Sequence, residues 1–266
     1  MTHSLNYPER DAELDMRLET ILGARPRSLP DVLRSWPAYV QRRTLPRFLA
    51  HYELFRQTVD LPGCIVELGV FHGASFFTWS NLLETFNTND RSKKVYGFDH
   101  FEGLRPDHFQ DDKDGLRDGR DQKQDWAYRA SAEELRALTA LHNDDNLLPG
   151  VERCVLVEGD VFESVPRFLR ENPGLRIALL YCDLDLYGPT KFCLEHFYPL
   201  VVNGGIVCFD EYGLIPWEGE SRAVDEFLAE HRLSPRLRRF PFSPSPCGYF
   251  VKGENPKPAH PGMPRR

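Results

Sequence analysis

No stretch of this 266-residue sequence approaches the ~20 consecutive apolar residues that a membrane-spanning helix needs. The polar N-terminus MTHSLNYPERDAELD also lacks a secretion-signal pattern, so a cytoplasmic protein with no membrane partner is expected. Six cysteines are present but none stands in C-x-x-C. Cys64, Cys154, Cys182 and Cys208 fall inside apolar, strand-like runs, where cysteine packs as a small hydrophobe. Neither a disulfide nor a zinc site is expected, and the nine histidines form no H-E-x-x-H or H-x-x-x-H pattern. Basic charge is in deficit, with 33 Lys+Arg against 40 Asp+Glu and a net charge of −7, which argues against a nucleic-acid partner. The densest basic run, RLRR at 236–239, reads as a solvated strand end. There is no internal repeat and no G-x-G-x-x-G fingerprint.

What is present is ordinary globular material: 41% hydrophobic and 27% charged residues, enough to bury a sizeable core. Residues 1–60 read as a helical extension, DAELDMRLETILG, LPDVLRSWPAYVQRRT and LPRFLAHYELFRQTV, each with apolar residues three and four apart. Their apolar surface points to a homo-oligomer. From 64 onward strand and helix alternate, which predicts βαβ crossovers and a mostly parallel sheet over 61–253. Strands are expected near 64–69, 94–98, 153–158, 176–182 and 205–210, with helices near 74–86, 131–142, 162–171, 189–200 and 220–231. RLRRFPF and CGYFVKG read as a closing antiparallel hairpin, completing a seven-stranded, Rossmann-like α/β sheet. The polar segment 104–130 is too long for an ordinary connection and reads as a lid over the site, with a disordered insertion as the alternative. Residues 254–266, with four prolines, read as a flexible tail.

Acidic residues follow the expected strands: Asp99 after KVYGF, Asp160 after RCVLVEG, Asp183 after IALLYC and Asp210 after GGIVCF, while Glu67 lies within the first. In a doubly wound sheet these strand ends border one crevice. Gly69 and Gly73, in VELGVFHG, suit a sharp turn into a helix whose N-terminus can hold a carboxylate. Asp99 could accept two ribose hydroxyls and Asp160 an adenine amine, so a nucleoside with an amino-acid tail fits. A carboxylate merely capping a loop or helix explains any one of these alone. Asp183 and Asp185 alternate with leucine and project to one side if the chain stays extended. With Asp210 and Glu211 at the same edge, they form an oxygen-rich cluster suited to Mg²⁺ or Ca²⁺.

The stretches HYELF (51–55), IVELGVFHGASFFTW (65–79), GFDHFEGL (97–104), VEGDVFESVPRFL (157–169), LDLYGPTKFCLEHFYPLVVNGGIVCFDEYG (184–213), WEGESRAVDEFL (217–228) and CGYFV (247–251) resemble the macrocin O-methyltransferase family. These are class I S-adenosylmethionine-dependent enzymes that methylate sugar hydroxyls in antibiotic pathways. More narrowly, the chain is similar to the branch acting on the 3-hydroxyl of nucleotide-linked 6-deoxy-L-hexoses, such as TDP-L-rhamnose. The resemblance implies that Glu67, Gly69, Phe71, Gly73, Ser75, Asp99, Asp160 and Val161 bind the cofactor, with Ser75 near the methionine carboxylate. It implies Asp183 as general base and metal ligand, and Asp210 and Glu211 as further ligands, Glu211 standing where the family has aspartate. Arg222 matches a family arginine, which a surface salt bridge explains equally well. Arg117, Arg120 and Lys123 are candidates by composition for meeting a diphosphate.

Other readings remain open at this stage. A finished glycoside could be the acceptor in place of a nucleotide sugar, and a metal-dependent catechol or phenol methyltransferase would share most of the cleft. Tyr187 and Lys191 match the Y-x-x-x-K pair of a short-chain dehydrogenase, although Pro189 argues against a helix interior there. A binding protein on an inactive methyltransferase fold is the remaining class.

Overall fold

Runs such as IVEL and IALLYC, apolar at nearly every position, can be buried only where both faces of a sheet are covered. The computed structural model describes residues 7–115 and 124–254. It divides into a smaller unit up to Leu45 and a larger one from Pro46. No described helix is long and apolar enough to cross a membrane.

The smaller unit holds α1 (Tyr7–Ala24) and α2 (Leu29–Arg34). Ser28 starts α2 by accepting from the Asp31 N–H, with proline in the first turn. Arg42 and Arg43 pair with Asp11 and Asp15 of α1.

The larger unit runs, in chain order, α3 (Leu45–Arg56), β1 (Cys64–Leu68), α4 (Ala74–Phe86), β2 (Val95–Asp99), α5 (Asp111–Asp114), α6 (Ala132–Asp144), β3 (Cys154–Glu158), α7 (Val161–Glu171), β4 (Ile177–Cys182), α8 (Tyr187–Phe197), β5 (Val201–Phe209), α9 (Glu218–Glu230) and β6 (Gly248–Val251). α3 fell within the extension expected from the sequence, but it packs with the larger unit: Ala50, Leu54 and Phe55 are buried beside β1 residues in one core cluster.

The strand order is β3-β2-β1-β4-β5-β6, parallel except for β6, which runs antiparallel to β5. Six strands are described where seven were expected. The segment RLRRFPF supplies only one bridge, Arg238 to Tyr249; Pro235 just before it and Pro241 within it have no N–H to give to a ladder.

Side-chain alternation assigns each strand residue a face. Val66, Leu68, Leu180, Cys182, Val207 and Phe209 pack on one face with α7, α8 and α9. Ile65, Leu179, Tyr181, Ile206 and Cys208 pack on the other with α3 and α4. The second face carries the polar side chains Glu67 and Tyr181 into the core just behind the strand ends, and both are fully buried.

Candidate active site

The strand order reverses at β1, so the carboxyl ends of β1 and β4 part and leave a crevice. A cavity of about 420 Å³ opens there. Gly69 ends β1 at φ 88°, and a Cβ at this position would lie 1.8 Å from the Asp183 carbonyl oxygen. Only glycine lets the two strand ends approach this closely. Gly73, at φ 81°, begins α4.

Asp99 holds the intervening loop. Its Oδ2 accepts the N–H groups of Val70 and Phe71, each at 2.8 Å, and its Oδ1 accepts from Phe101 at 2.6 Å. Gly69, Phe71, Asp99 and Val161 all line the cavity. Asp160 caps α7 through Oδ1, which accepts from Phe162 N at 3.0 Å. Its Oδ2 meets His108 Nε2 at 2.8 Å and Arg105 Nη1 at 3.2 Å, both from the segment after β2.

Glu67 and Ser75, expected to touch a cofactor, are placed behind the cavity. Glu67 is fully buried, and its two oxygens are taken by Ser75 Oγ at 2.7 Å and Trp79 Nε1 at 2.6 Å. Burial pushes its carboxyl up to about 8, against the opposing effect of those two donors. The alternation that buries Ile65 directs Glu67 toward α4, away from the crevice. Neither residue is among those lining the cavity, and their hydrogen bonds tie β1 to α4.

Three carboxylates converge on the other side of the cavity. Asp183, Asp185 and Glu211 each offer an oxygen, and these atoms lie within 4.8 Å of one another. The chain does not stay extended past β4: Asp185 takes the left-handed conformation at φ 61°, and this turn brings its carboxylate to the other two. Asp210, expected as a ligand, is outside this trio. Following the face of Cys208, it points toward Tyr181 and accepts hydrogen bonds from Tyr181 Oη and from Ser245 Oγ at 2.6 Å. Behind it, His51 Nε2 lies 3.2 Å from Tyr181 Oη. Burial, with a smaller effect from Arg47, pushes His51 down to about 3, so its ring is neutral. Arg47 Nη2 bridges Asp183 Oδ2 at 3.0 Å and Asp210 Oδ1 at 3.1 Å.

The electrostatics separate these acids. Asp210 is buried, yet Arg47, Ser245 and Tyr181 hold it below the usual carboxylate range. Asp183 is pushed well up by burial and by the charge of Asp210; Glu211 is pushed up by burial and by Asp185. Glu211 Oε2 is buried with no hydrogen-bond partner, although its backbone N–H donates to Glu220 Oε1 at 2.9 Å. An unpartnered buried oxygen beside two converging carboxylates suits a hard divalent cation. The donor set that would hold it is Asp183, Asp185 and Glu211.

Residues 40–241 match the model of the family described as macrocin-O-methyltransferase (TylF). This chain belongs to that family. It is 29% identical over 210 residues to the demethyldecarbamoylnovobiocin O-methyltransferase of Streptomyces niveus, spanning 77% of this chain and 74% of that protein. Its fold matches CalS11, a calicheamicin methyltransferase, with a TM-score of 0.83 and 32% identity over 92% of this chain and 93% of that one. The apo form of CalS11, described as a TDP-rhamnose 3'-O-methyltransferase, matches with a TM-score of 0.75 and 32% identity over 92% and 95%. The protein is accordingly an O-methyltransferase with the class I S-adenosylmethionine-dependent fold.

In this O-methyltransferase the segment after β2 is anchored at both ends. Leu104 exchanges backbone hydrogen bonds with Ala127 and Trp126. Asp114, 1% exposed, accepts from the N–H of Gln110 and from that of Tyr187 at the start of α8, both at 2.7 Å. Arg222 binds the Asp112 carbonyl, which gives it a role in seating this segment. Arg117, Arg120 and Lys123 lie outside the described residues. Leu104, Tyr128, Leu214 and Trp217 give the cavity an apolar wall.

α8 does run through Tyr187 and Lys191, because Pro189 sits in its first turn, where proline is tolerated. The pair still does not form a dehydrogenase site. Tyr187 Oη donates to Glu226 and Lys191 Nζ to Glu230, both at 2.6 Å, and neither residue lines the cavity. The site residues that sequence reasoning missed are Arg47 and the Tyr181–His51–Ser245 support of Asp210. Asp185 carried a signal in its D-L-D spacing; a helical arginine 136 residues from its partner carried none.

Proposed function

We propose that the protein transfers a methyl group from S-adenosylmethionine to the 3-hydroxyl of a nucleotide-linked 6-deoxy-L-hexose, TDP-L-rhamnose being the first candidate, in an antibiotic pathway. The observation that carries this reading is the convergence of Asp183, Asp185 and Glu211 on the same cavity as Gly69, Phe71 and Asp99. The 32% identity to a protein described as a TDP-rhamnose 3'-O-methyltransferase supports the acceptor.

When bound, S-adenosylmethionine supplies an electrophilic methyl group and a divalent cation lowers the pKa of an adjacent hydroxyl. The residues of the chain do the rest. The Gly69 turn would leave room for a ligand against the backbone, Asp99 at the cavity wall would be placed to accept ribose hydroxyls, and the exposed ring of Phe71 would offer a surface for an adenosine. Asp183, which lines the cavity, would accept the hydroxyl proton. Trp217 and Tyr128 exclude water and suit the apolar face of a deoxysugar.

A finished glycoside is the second reading. Leu214 is 42% and Ile215 82% exposed beside the cavity, which suits an apolar aglycone. Mass spectrometry of parallel reactions with TDP-L-rhamnose and with rhamnosylated aglycones separates the two. A gain of one methyl on the nucleotide sugar supports the first; methylation of the glycosides alone overturns it.

A further inference from the structure

The guanidinium of Arg47 joins two acids with different roles. Asp210 is 2% exposed and fixed by Tyr181 and Ser245, whereas Asp183 belongs to the trio that would hold a divalent cation. Arg47 Nη2 is 3.0 Å from Asp183 and 3.1 Å from Asp210, and the side chain remains 38% exposed to the cavity. An arginine between buried carboxylates lowers their mutual repulsion, and a dication arriving at Asp183 meets that positive charge at close range. Asp210 is itself buried and fixed, so the arginine keeps a charged partner when it releases Asp183.

We propose that Arg47 is the resident counterion of the metal-free carboxylate cluster, and that a divalent cation binds by taking Asp183 from it. Arg47 therefore sets metal affinity, lowering it while keeping the cluster folded. This inference rests on the reading of Asp183, Asp185 and Glu211 as the metal site. The exchange makes a prediction opposite in sign to that of a simple supporting role, in which loss of Arg47 would disorder Asp183 and weaken binding.

The test is Mn²⁺ binding by calorimetry and by the loss of its free-ion paramagnetic resonance signal, on the full chain at fixed pH without cofactor or acceptor. Arg47→Gln is expected to tighten Mn²⁺ binding by about tenfold or more, since a nearby unit charge is removed. It should also lower the melting temperature in EDTA and give a larger recovery on adding Mn²⁺ than the wild type shows. Arg47→Lys keeps the charge but gives up the planar fork, and should tighten binding less, in the same direction. This milder variant carries the test if the glutamine variant does not fold. Unchanged or weaker binding in the variants, with wild type binding Mn²⁺, overturns the role of Arg47 alone. No Mn²⁺ binding by wild type or variants overturns the metal site and the inference with it.

Discussion

At the residue scale the site depends on which carboxylate has which neighbours. The proposed base is Asp183, whose charged neighbours are Arg47, Asp210, Asp185 and Glu211. Asp183→Asn should lower kcat by about 10²–10⁴-fold with the melting temperature kept within a few degrees; steady-state kinetics and calorimetry check both. Glu67 makes a separate prediction about stability. Its carboxyl is near 4.5 when exposed and about 8 in the fold, chiefly through burial. The unfolded chain therefore loses this proton first, so the stabilising contribution is full below about pH 4.5 and is lost as pH rises toward about 8. Glu67→Gln copies the protonated form and should flatten this decline, raising the melting temperature above pH 8 by about 2–4 °C for each kcal/mol recovered. A variant that melts in parallel with wild type across that range would mean that Glu67 is ionised in the fold. Asp183 and Glu211 were legible in the sequence because they follow apolar runs. Asp185 was legible only as a spacing, since a left-handed turn after β4 has no sequence signal in a leucine–aspartate pair. Glu67 was legible as an acid within the first strand, but not the face it takes, which puts its oxygens on Ser75 and Trp79.

Among the elements, the described stretch 110–114 after β2 is seated by a buried acid, Asp114. Asp114 caps α8 and packs against Gly219 of α9, where an added Cβ would lie 2.0 Å from Asp114 Oδ1 and 2.8 Å from Tyr187 N. Helix propensity alone predicts that Gly219→Ala stabilises by about 1 kcal/mol. The clash outweighs it, and the melting temperature should fall while limited proteolysis within 104–130 accelerates. A rise in melting temperature with unchanged proteolysis would show that Asp114 does not seat the segment. The sequence made the strands and crossover helices readable, because parallel strands covered on both faces are continuous apolar runs. It did not show that the hairpin before β6 is reduced to one bridge, since Pro235 and Pro241 act on hydrogen bonding and not on hydropathy. Nor did it separate α3 from the helices before it, because an amphipathic helix does not state which core it joins.

For the whole molecule, the smaller unit exposes Met16, Ile21, Leu29 and Leu33, each more than half exposed. This apolar surface is the basis for proposing a homo-oligomer. Light scattering after gel filtration should give a multiple of the chain mass, and Ile21→Glu with Leu33→Glu should reduce it; a wild-type monomer would remove the proposal. The central claim is that the carboxylate cluster serves methyl transfer by holding a divalent cation next to an S-adenosylmethionine site. The most direct measurement is the rate of methylation of TDP-L-rhamnose by protein dialysed against EDTA, before and after Mg²⁺ is restored. The account predicts product only with the metal, and none from Glu211→Ala at the same Mg²⁺ concentration. Full-rate methylation in EDTA would contradict it and leave Asp183 to act with Arg47 alone.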